Sequence, residues 1–254
     1  MASPSPGSSY CNRVILLSAG KGNRMKGAVT DKILVPIEGK SSFRRSFEAF
    51  AETGIFDEAV VVYRDAEQRD RLKGELADLP DGIPTLPCLW TQGGARRQDS
   101  VFRGLTIAGL DTDYIFIHDC ARPLVRSSDI QILFERVLQD KAASLARPVT
   151  DTLNRVDRRK QQARLCRLRP IDRRGCWAME TPQAFAFNLI FDAYQRARQE
   201  DELHTDDCSV ATADGARISL VEPSFPNIKI TKPGDLVLAS FLIQNPNFAS
   251  EDPQ

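Results

Sequence analysis

The sequence has no excess of either charge: 34 Lys and Arg stand against 34 Asp and Glu. Without a global field a chain does not gather nucleic acid or anionic membrane by charge alone, so charge-based function must come from local clustering. No run of 18 apolar residues occurs, which excludes a membrane-spanning helix of ordinary length. The six cysteines (Cys11, Cys88, Cys120, Cys166, Cys176 and Cys208) show no CxxC or finger-like pairing, which argues against structural zinc and suits a reducing cytoplasm. Cys88 and Cys120 lie in or beside apolar runs, where cysteine serves as a small hydrophobe. Histidine is scarce, with only His118 and His204, and no Ser-His-Asp or Cys-His arrangement offers a side-chain nucleophile. The N-terminus has neither the basic nor the apolar region of a signal peptide, and its Ser, Pro and Gly read as a disordered lead over residues 1–12.

What is present is an ordinary core composition, 42% hydrophobic and 27% charged over 254 residues. A chain of that length buries roughly 70–75% of its unfolded surface and needs no staple. Short, unalternating apolar runs at Val14–Ser18, Ala59–Tyr63, Pro87–Thr91, Tyr114–His118 and Ser144–Ala146 have the character of strands covered on both faces. Helical patterns separate them: Phe43–Thr53, Ala66–Ala77, Ser100–Ala108 and Ser128–Gln139. The alternation predicts a single α/β domain over 13–244 with a mostly parallel, twisted, Rossmann-like sheet. Ligands on such sheets sit at the carboxyl ends of the strands, here Ser18–Lys32, Gln92–Ser100 and His118–Arg126. From about 150 to 175 the alternation breaks. Nine Lys and Arg lie between Arg155 and Arg174 against two acids, and the stretch reads as a protruding arm. A helix over Asn188–Arg198, strands at Ile218–Glu222 and Ile228–Thr231, and a helix over Pro233–Gln244 follow, and 245–254 reads as a frayed tail.

Ser18-Ala-Gly-Lys-Gly-Asn-Arg-Met25 follows the first strand, and its small residues let backbone N–H groups approach phosphates. A dinucleotide fingerprint would need glycine where Met25 stands. A Walker loop fails because Ala28 and Val29 follow Gly27. There remain a nucleoside triphosphate loop, with Arg24 and Lys32 as discrete cations ahead of an apolar strand Ile33–Val35, and a plain glycine-rich turn with solvated basic residues.

This loop is one of seven blocks in order. The others are Gly93-Gly-Ala-Arg-Arg-Gln-Asp-Ser-Val101, His118-Asp-Cys-Ala-Arg-Pro123, Pro148-Val-Thr-Asp-Thr152, Asp172-Arg173 with Thr181-Pro-Gln183, Thr205-Asp-Asp207, and Asn227-Ile-Lys-Ile-Thr231. Together they resemble the 2-C-methyl-D-erythritol 4-phosphate cytidylyltransferases from about Val14 to Leu242. The resemblance implies a nucleotidyltransferase sheet and a homodimer made through the arm. It also implies transfer of CMP from CTP to the polyol phosphate, with Mg²⁺ or another divalent cation. By the same resemblance Arg24, Lys32, Arg173 and Lys229 are catalytic. Ser18, Ala19, Gly20, Gly22, Gly94, Arg97 and Ser100 hold the nucleotide, and Asp119, Arg122, Thr152 and Thr205 contact the substrate. Asp119 doubles as a metal ligand, and Thr152 and Arg173 are offered to the neighbouring subunit. The chain departs from the family pattern at Ser18 (for alanine), Asp31 (for proline), Leu34 (for an aromatic), Cys120 (for alanine) and Ala95 (for an acid near the base). Reading of cytosine would then fall to backbone groups and Ser100.

Such chemistry needs no enzyme nucleophile, because the substrate phosphate oxygen is already anionic at neutral pH. Charge is the obstacle: one pair of unit charges at 4 Å costs roughly 4 kcal/mol at an effective dielectric of 20, so fixed cations are required. Plainer roles compete for several residues. Asp119 also reads as a loop-capping carboxylate, His118 as a structural hydrogen-bonding residue, and Asp206 and Asp207 as a helix start. His204 reads as surface, Trp90 and Trp177 as packing residues, and most arm arginines as a solvated hairpin or a weak RNA contact. The expected partners are CTP and a polyol phosphate, with no nucleic acid and no membrane. Ribitol 5-phosphate is the rival substrate, a non-catalytic nucleotide- or RNA-binding module the rival class, and an NAD-dependent dehydrogenase a poor third.

Overall fold

The computed structural model describes residues 10–20, 31–77, 79, 82–84, 86–156 and 166–248. In chain order the elements are β1 (Asn12–Leu17), β2 (Pro36–Ile37), β3 (Lys40–Ser41), α1 (Ser42–Ala51), β4 (Glu58–Tyr63), α2 (Ala66–Ala77), β5 (Cys88–Gln92), α3 (Arg97–Ala108) and β6 (Tyr114–Asp119). Then come α4 (Ser127–Asp140), β7 (Ala142–Pro148), β8 (Leu153–Val156), β9 (Leu168–Ile171), β10 (Trp177–Ala186), α5 (Phe187–Gln199), α6 (Asp207–Ala213), β11 (Ser219–Val221) and α7 (Pro233–Gln244).

Seven strands form one sheet in the order β11-β7-β10-β6-β1-β4-β5. All run parallel except β10, which is antiparallel to both neighbours. The period of two in a strand sends alternate side chains to opposite faces. Val14 and Leu16 of β1 join Phe43, Phe47 and Phe50 of α1, Leu72 of α2 and Ile130, Leu133 and Val137 of α4 on one face. Ile15 joins Val101 and Leu105 of α3, Ile190 and Tyr194 of α5 and Val210 of α6 on the other. Both faces being covered, these strands carry unbroken apolar runs, and that is why they were readable. A third apolar cluster, Ile37, Leu124, Phe225, Ile230, Ala239 and Leu242, seats α7 beside the β2–β3 hairpin. No helix among the described residues is long and apolar enough to cross a membrane.

The arm expected at 150–175 contains β8 and β9, which pair only with each other as an antiparallel ribbon apart from the main sheet. Four expectations need correction. The apolar Ile33–Val35 is not a strand: these residues turn, with Ile33 and Leu34 buried and the Ile33 carbonyl accepting from Phe43 N–H. Ile228–Thr231 is not a strand and lies outside the sheet ladder, held instead by Ile230 N–H donating to the Ala121 carbonyl at 2.7 Å. β10 was not anticipated, because Pro182 argues against an interior strand; its register shifts between Met179 and Gln183, and the ladder resumes beyond. The lead ends sooner than expected, since Asn12 already belongs to β1 and the Tyr10 ring packs edge-on against Tyr114. At the other end, Phe248 of the expected tail packs against Phe241 of α7.

Gly104 of α3 packs directly against Ile15 of β1. A Cβ there would stand 2.9 Å from Cγ2 of Ile15 and 3.0 Å from its Cδ1. Gly104→Ala should therefore lower unfolding stability by about 1–3 kcal/mol through overpacking. In that background Ile15→Ala should cost less than it does alone, so additive urea-denaturation energies in the double mutant would reject the contact.

Candidate active site

A cavity of about 570 Å³ opens at the carboxyl end of the sheet. Strands β4 and β6 flank β1 on opposite sides, so the chain order reverses there, which is where open α/β sheets bind ligands. Leu17–Gly20 leave the end of β1, Gly94–Arg97 and Ser100 come from the turn into α3, Asp119 ends β6, and Lys32, Lys229 and Thr231 close the wall. Among the described lining residues, Lys32, Arg96, Arg97 and Lys229 are cations and Asp119 alone is acidic. Such a wall selects anions.

Small residues make the wall thin. A Cβ on Gly93 would sit 2.7 Å from Cβ of Ala19, so the two segments touch only because both are small. A Cβ on Gly94 would overlap Cβ of Asp99. Gly94 N–H donates to Ser100 Oγ at 3.0 Å, and that hydroxyl donates to the Arg96 carbonyl at 3.1 Å. Ser100 therefore cinches the turn that presents Ala95 and Arg96.

One chain of charges, built on the buried carboxylates of Asp119 and Asp207, organises the floor. Lys229 Nζ lies 2.5 Å from Asp119 Oδ2, and Arg97 Nε donates to Asp119 Oδ1 at 3.1 Å. The Arg97 fork then grips Asp207 with two bonds of 2.9 and 2.8 Å, and Asp207 also accepts from Tyr194 OH at 2.6 Å. Burial alone would raise the Asp119 carboxyl, but the charges of Arg97 and Lys229 and the Lys229 hydrogen bond hold it far below the usual carboxylate range. Burial would likewise depress Arg97, and Asp207 with Asp119 more than reverses it. Across the cavity Lys32 Nζ donates to the Ile230 carbonyl at 2.9 Å, one residue from Lys229.

A family model for 2-C-methyl-D-erythritol 4-phosphate cytidylyltransferase matches residues 13–245. The chain belongs to this family. A relative of that name from Bacillus velezensis is 34% identical over 91% of this chain and 95% of its own, and a chloroplastic one from Oryza sativa is 32% identical over 91% and 73%. The solved cytidylyltransferase of Thermus thermophilus superposes with a TM-score of 0.69 at 28% identity, covering 91% of this chain and 98% of that one. The 4-diphosphocytidyl-2C-methyl-D-erythritol synthase of Anaerococcus prevotii, at 21% identity, shares the fold with a TM-score of 0.77 over 93% and 100%.

Of the residues expected in a cytidylyltransferase site, Ser18, Ala19, Gly20, Lys32, Gly94, Arg97, Ser100, Asp119 and Lys229 all line the one cavity. Gly22 and Arg24 lie outside the described residues. Arg122 does not line it: the guanidinium bonds the carbonyls of Asn227 and Met179 and faces Glu180 at 3.6 Å. Thr152 and Arg173 stand exposed at the base of the arm, where Arg173 donates to the Thr150 carbonyl. Thr205 shares a separate, small cleft with Arg97. Asp206 and Asp207 do start a helix, as expected: Asp206 is the cap of α6, accepting from Ser209 N–H at 3.0 Å, and Asp207 is its first residue. The reading missed that Asp207 is also fully buried on Arg97. Two plainer readings also need adjustment. His204 is partly buried beside Glu202, and Trp177 is 38% exposed at the start of β10.

Asp119 is also the one carboxylate on the wall able to meet a divalent cation, and among the described residues no cluster of three His, Cys, Asp or Glu exists. Mg²⁺ commonly takes only one or two carboxylates and completes its shell with substrate phosphates and water. The donor set thus fits an ion carried chiefly on a triphosphate.

His118 is fully buried between Ser46 Oγ and Thr181 Oγ1, each at 3.3 Å from a ring nitrogen, and its ring lies against Phe50. Burial pushes the imidazole down to about 3, opposed by Asp119 and aided by Arg122. Between that value and the unfolded one near 6.5 the unfolded chain holds the extra proton. Stability from this group therefore falls as the pH drops through that window, by up to about 1.4 kcal/mol per pH unit. His118→Gln should flatten the dependence of the urea midpoint on pH between 6.5 and 4, and a slope equal to that of the wild type would contradict the assignment.

Proposed function

We propose that the chain transfers the cytidylyl group of CTP to 2-C-methyl-D-erythritol 4-phosphate, giving 4-diphosphocytidyl-2-C-methyl-D-erythritol and pyrophosphate, a step of non-mevalonate isoprenoid synthesis. The observation that carries this reading is the cavity at the strand ends, with Lys32 and Lys229 brought to its wall from positions far apart in sequence. The substrate phosphate oxygen attacks the α-phosphorus of CTP. The bond from that phosphorus to the bridging oxygen breaks, and pyrophosphate leaves with the electron pair. No proton need be removed from the nucleophile, so the protein's task is to cancel charge and align the attack. Lys32 faces the triphosphate, a task in which the family resemblance also enlists Arg24; Lys229 faces the incoming phosphate. Backbone N–H groups of the glycine loop hold the nucleotide, and Ser100 keeps the turn beside the base in shape. Mg²⁺, held by Asp119 and the triphosphate, would neutralise further negative charge when bound.

Thr152 and Arg173 lie at the foot of an exposed ribbon and not in their own cavity, which supports a homodimer in which each arm serves the partner's site. Arg122, held under Lys229 through the Asn227 carbonyl, acts in this reading as a support for the substrate side. Cysteines scattered along the chain without a CxxC pairing suit a reducing cytoplasm.

Release of pyrophosphate from CTP and Mg²⁺ should depend on the methylerythritol phosphate, with ribitol 5-phosphate a poor substitute; preference for ribitol phosphate would reverse the substrate assignment. Lys32→Ala should lower turnover by about 10²–10³-fold, as deletion of a preorganised electrostatic donor does. A folded variant with normal turnover would remove Lys32 from the mechanism. Mixing inactive Lys32→Ala and Arg173→Ala protomers should restore about a quarter of wild-type activity, because half the dimers would hold one intact site. Mixtures without recovery would rule out sharing between subunits.

A further inference from the structure

Gln68 is buried in the first turn of α2, and its amide reaches both ends of the glycine loop. One Nε2 hydrogen goes to the Ser18 carbonyl at 3.0 Å and the other to Asp31 Oδ2 at 2.5 Å. The amide oxygen accepts from Arg64 N–H at 2.6 Å, and Gln68 N–H donates to Asp65 Oδ1 at 2.8 Å. Both amide hydrogens and the amide oxygen of this glutamine are therefore engaged, and no other side chain of similar size offers two donors beside an acceptor here. The Asp31 side chain is wholly buried. It receives Arg64 Nη1 at 3.1 Å and Ile33 N–H at 3.3 Å besides Gln68, so its charge is balanced from the β4–α2 corner. Ser18 N–H is fixed to the Val62 carbonyl at 2.9 Å. The exit of β1 and the residue preceding Lys32 thus hang from one amide.

We propose that Gln68 and Asp31 form a clamp that sets the mouth of the triphosphate loop and, through the backbone from Asp31 to Lys32, the position of the Lys32 ammonium. Both are positioning residues, touching neither substrate, and the proposal rests on the cavity being the CTP site. Tying Ser18 and Asp31 to one amide fixes both before any ligand arrives, so nucleotide binding does not have to order them. A small displacement of Lys32 matters because misplacing a catalytic group by about 1 Å can cost 10²-fold in rate.

The test is steady-state pyrophosphate release with CTP and the polyol phosphate varied separately, together with the CTP-induced rise in thermal unfolding temperature. Gln68→Met keeps the volume without the hydrogen bonds, and Gln68→Glu sets a second carboxylate against Asp31. Each should lower kcat/KM for CTP by about 10²-fold and shrink the CTP-induced thermal shift. The KM for the polyol phosphate should stay within about twofold. Asp31→Asn, which retains an acceptor for Gln68, should keep most of the activity, while Asp31→Ala should behave as Gln68→Met does. Should Gln68→Glu fail to fold, Gln68→Met and the Asp31 pair carry the comparison. An active wild type with unaltered CTP kinetics in Gln68→Met would overturn the clamp. So would equal losses toward both substrates with an undiminished CTP-induced shift, the mark of general destabilisation. A wild type that releases no pyrophosphate would instead overturn the assignment of the cavity, and the clamp with it.

Discussion

A carboxylate buried at the end of a central strand has to be paired, and the pairing of Asp119 with Arg97 and Lys229 is the constraint from which the site follows. Asp119 is delivered by β6, Arg97 by the first turn of α3, and Lys229 by a segment that belongs to no sheet. Leaving that carboxylate unpaired would cost far more than any exposed ion pair contributes, so the three segments have one mutual arrangement. Asp207 extends the constraint to α6 and, through Tyr194, to α5. The face of the sheet carrying α3, α5 and α6 is thereby locked to the cavity floor by charge as well as by its apolar cluster.

Parts of this arrangement were legible before any coordinates. The strands β1, β4 and β6 declare themselves because both faces are covered: past Asn12 and Arg13 of β1 and Glu58 of β4 the runs are apolar, and at the carboxyl end of β6 His118 and Asp119 mark the site. The switch-point rule then directed attention to Ser18–Lys32 and His118–Arg126 without knowledge of any ligand. β10 was hidden because Glu180, Thr181 and Gln183 are polar yet buried, each facing partners distant in sequence. An apolar–polar pattern cannot reveal that. Ile33–Val35 and Ile228–Thr231 misled for the opposite reason: their apolar residues pack inward, but no neighbouring strand accepts their backbone. Asp207 escaped notice because a pair of acids at a helix start has a sufficient local explanation, and its true partner, Arg97, lies 110 residues away.

The same geometry separates cations that can serve a ligand from those that cannot. Arg97 makes two bonds to one carboxylate and one to another, and a planar fork so engaged does not let go without exposing two buried charges. Although Arg97 lines the cavity, its energetic role is to fix Asp119. Lys229 rests against a single carboxylate oxygen and is about a third exposed, so an arriving phosphate can share its ammonium without uncovering a buried charge. A compact, rotatable donor on a flexible stem suits that exchange better than a guanidinium does.

Lys32 completes the logic from the other side. Its ammonium meets a backbone carbonyl of the segment that carries Lys229, so the two lysines are spaced by one short stretch of chain. That stretch is anchored by Ile230 N–H on Ala121 and by the apolar cluster under α7. Two phosphates, one on each lysine, would then approach along a direction fixed by this segment, which is the requirement of an in-line displacement. The spacing thus rests on backbone contacts and packing as well as on the Asp119–Lys229 pair. A site that gathers several negative charges in one small volume is steadier when packing shares in fixing its cations, and here a segment outside the sheet supplies that packing.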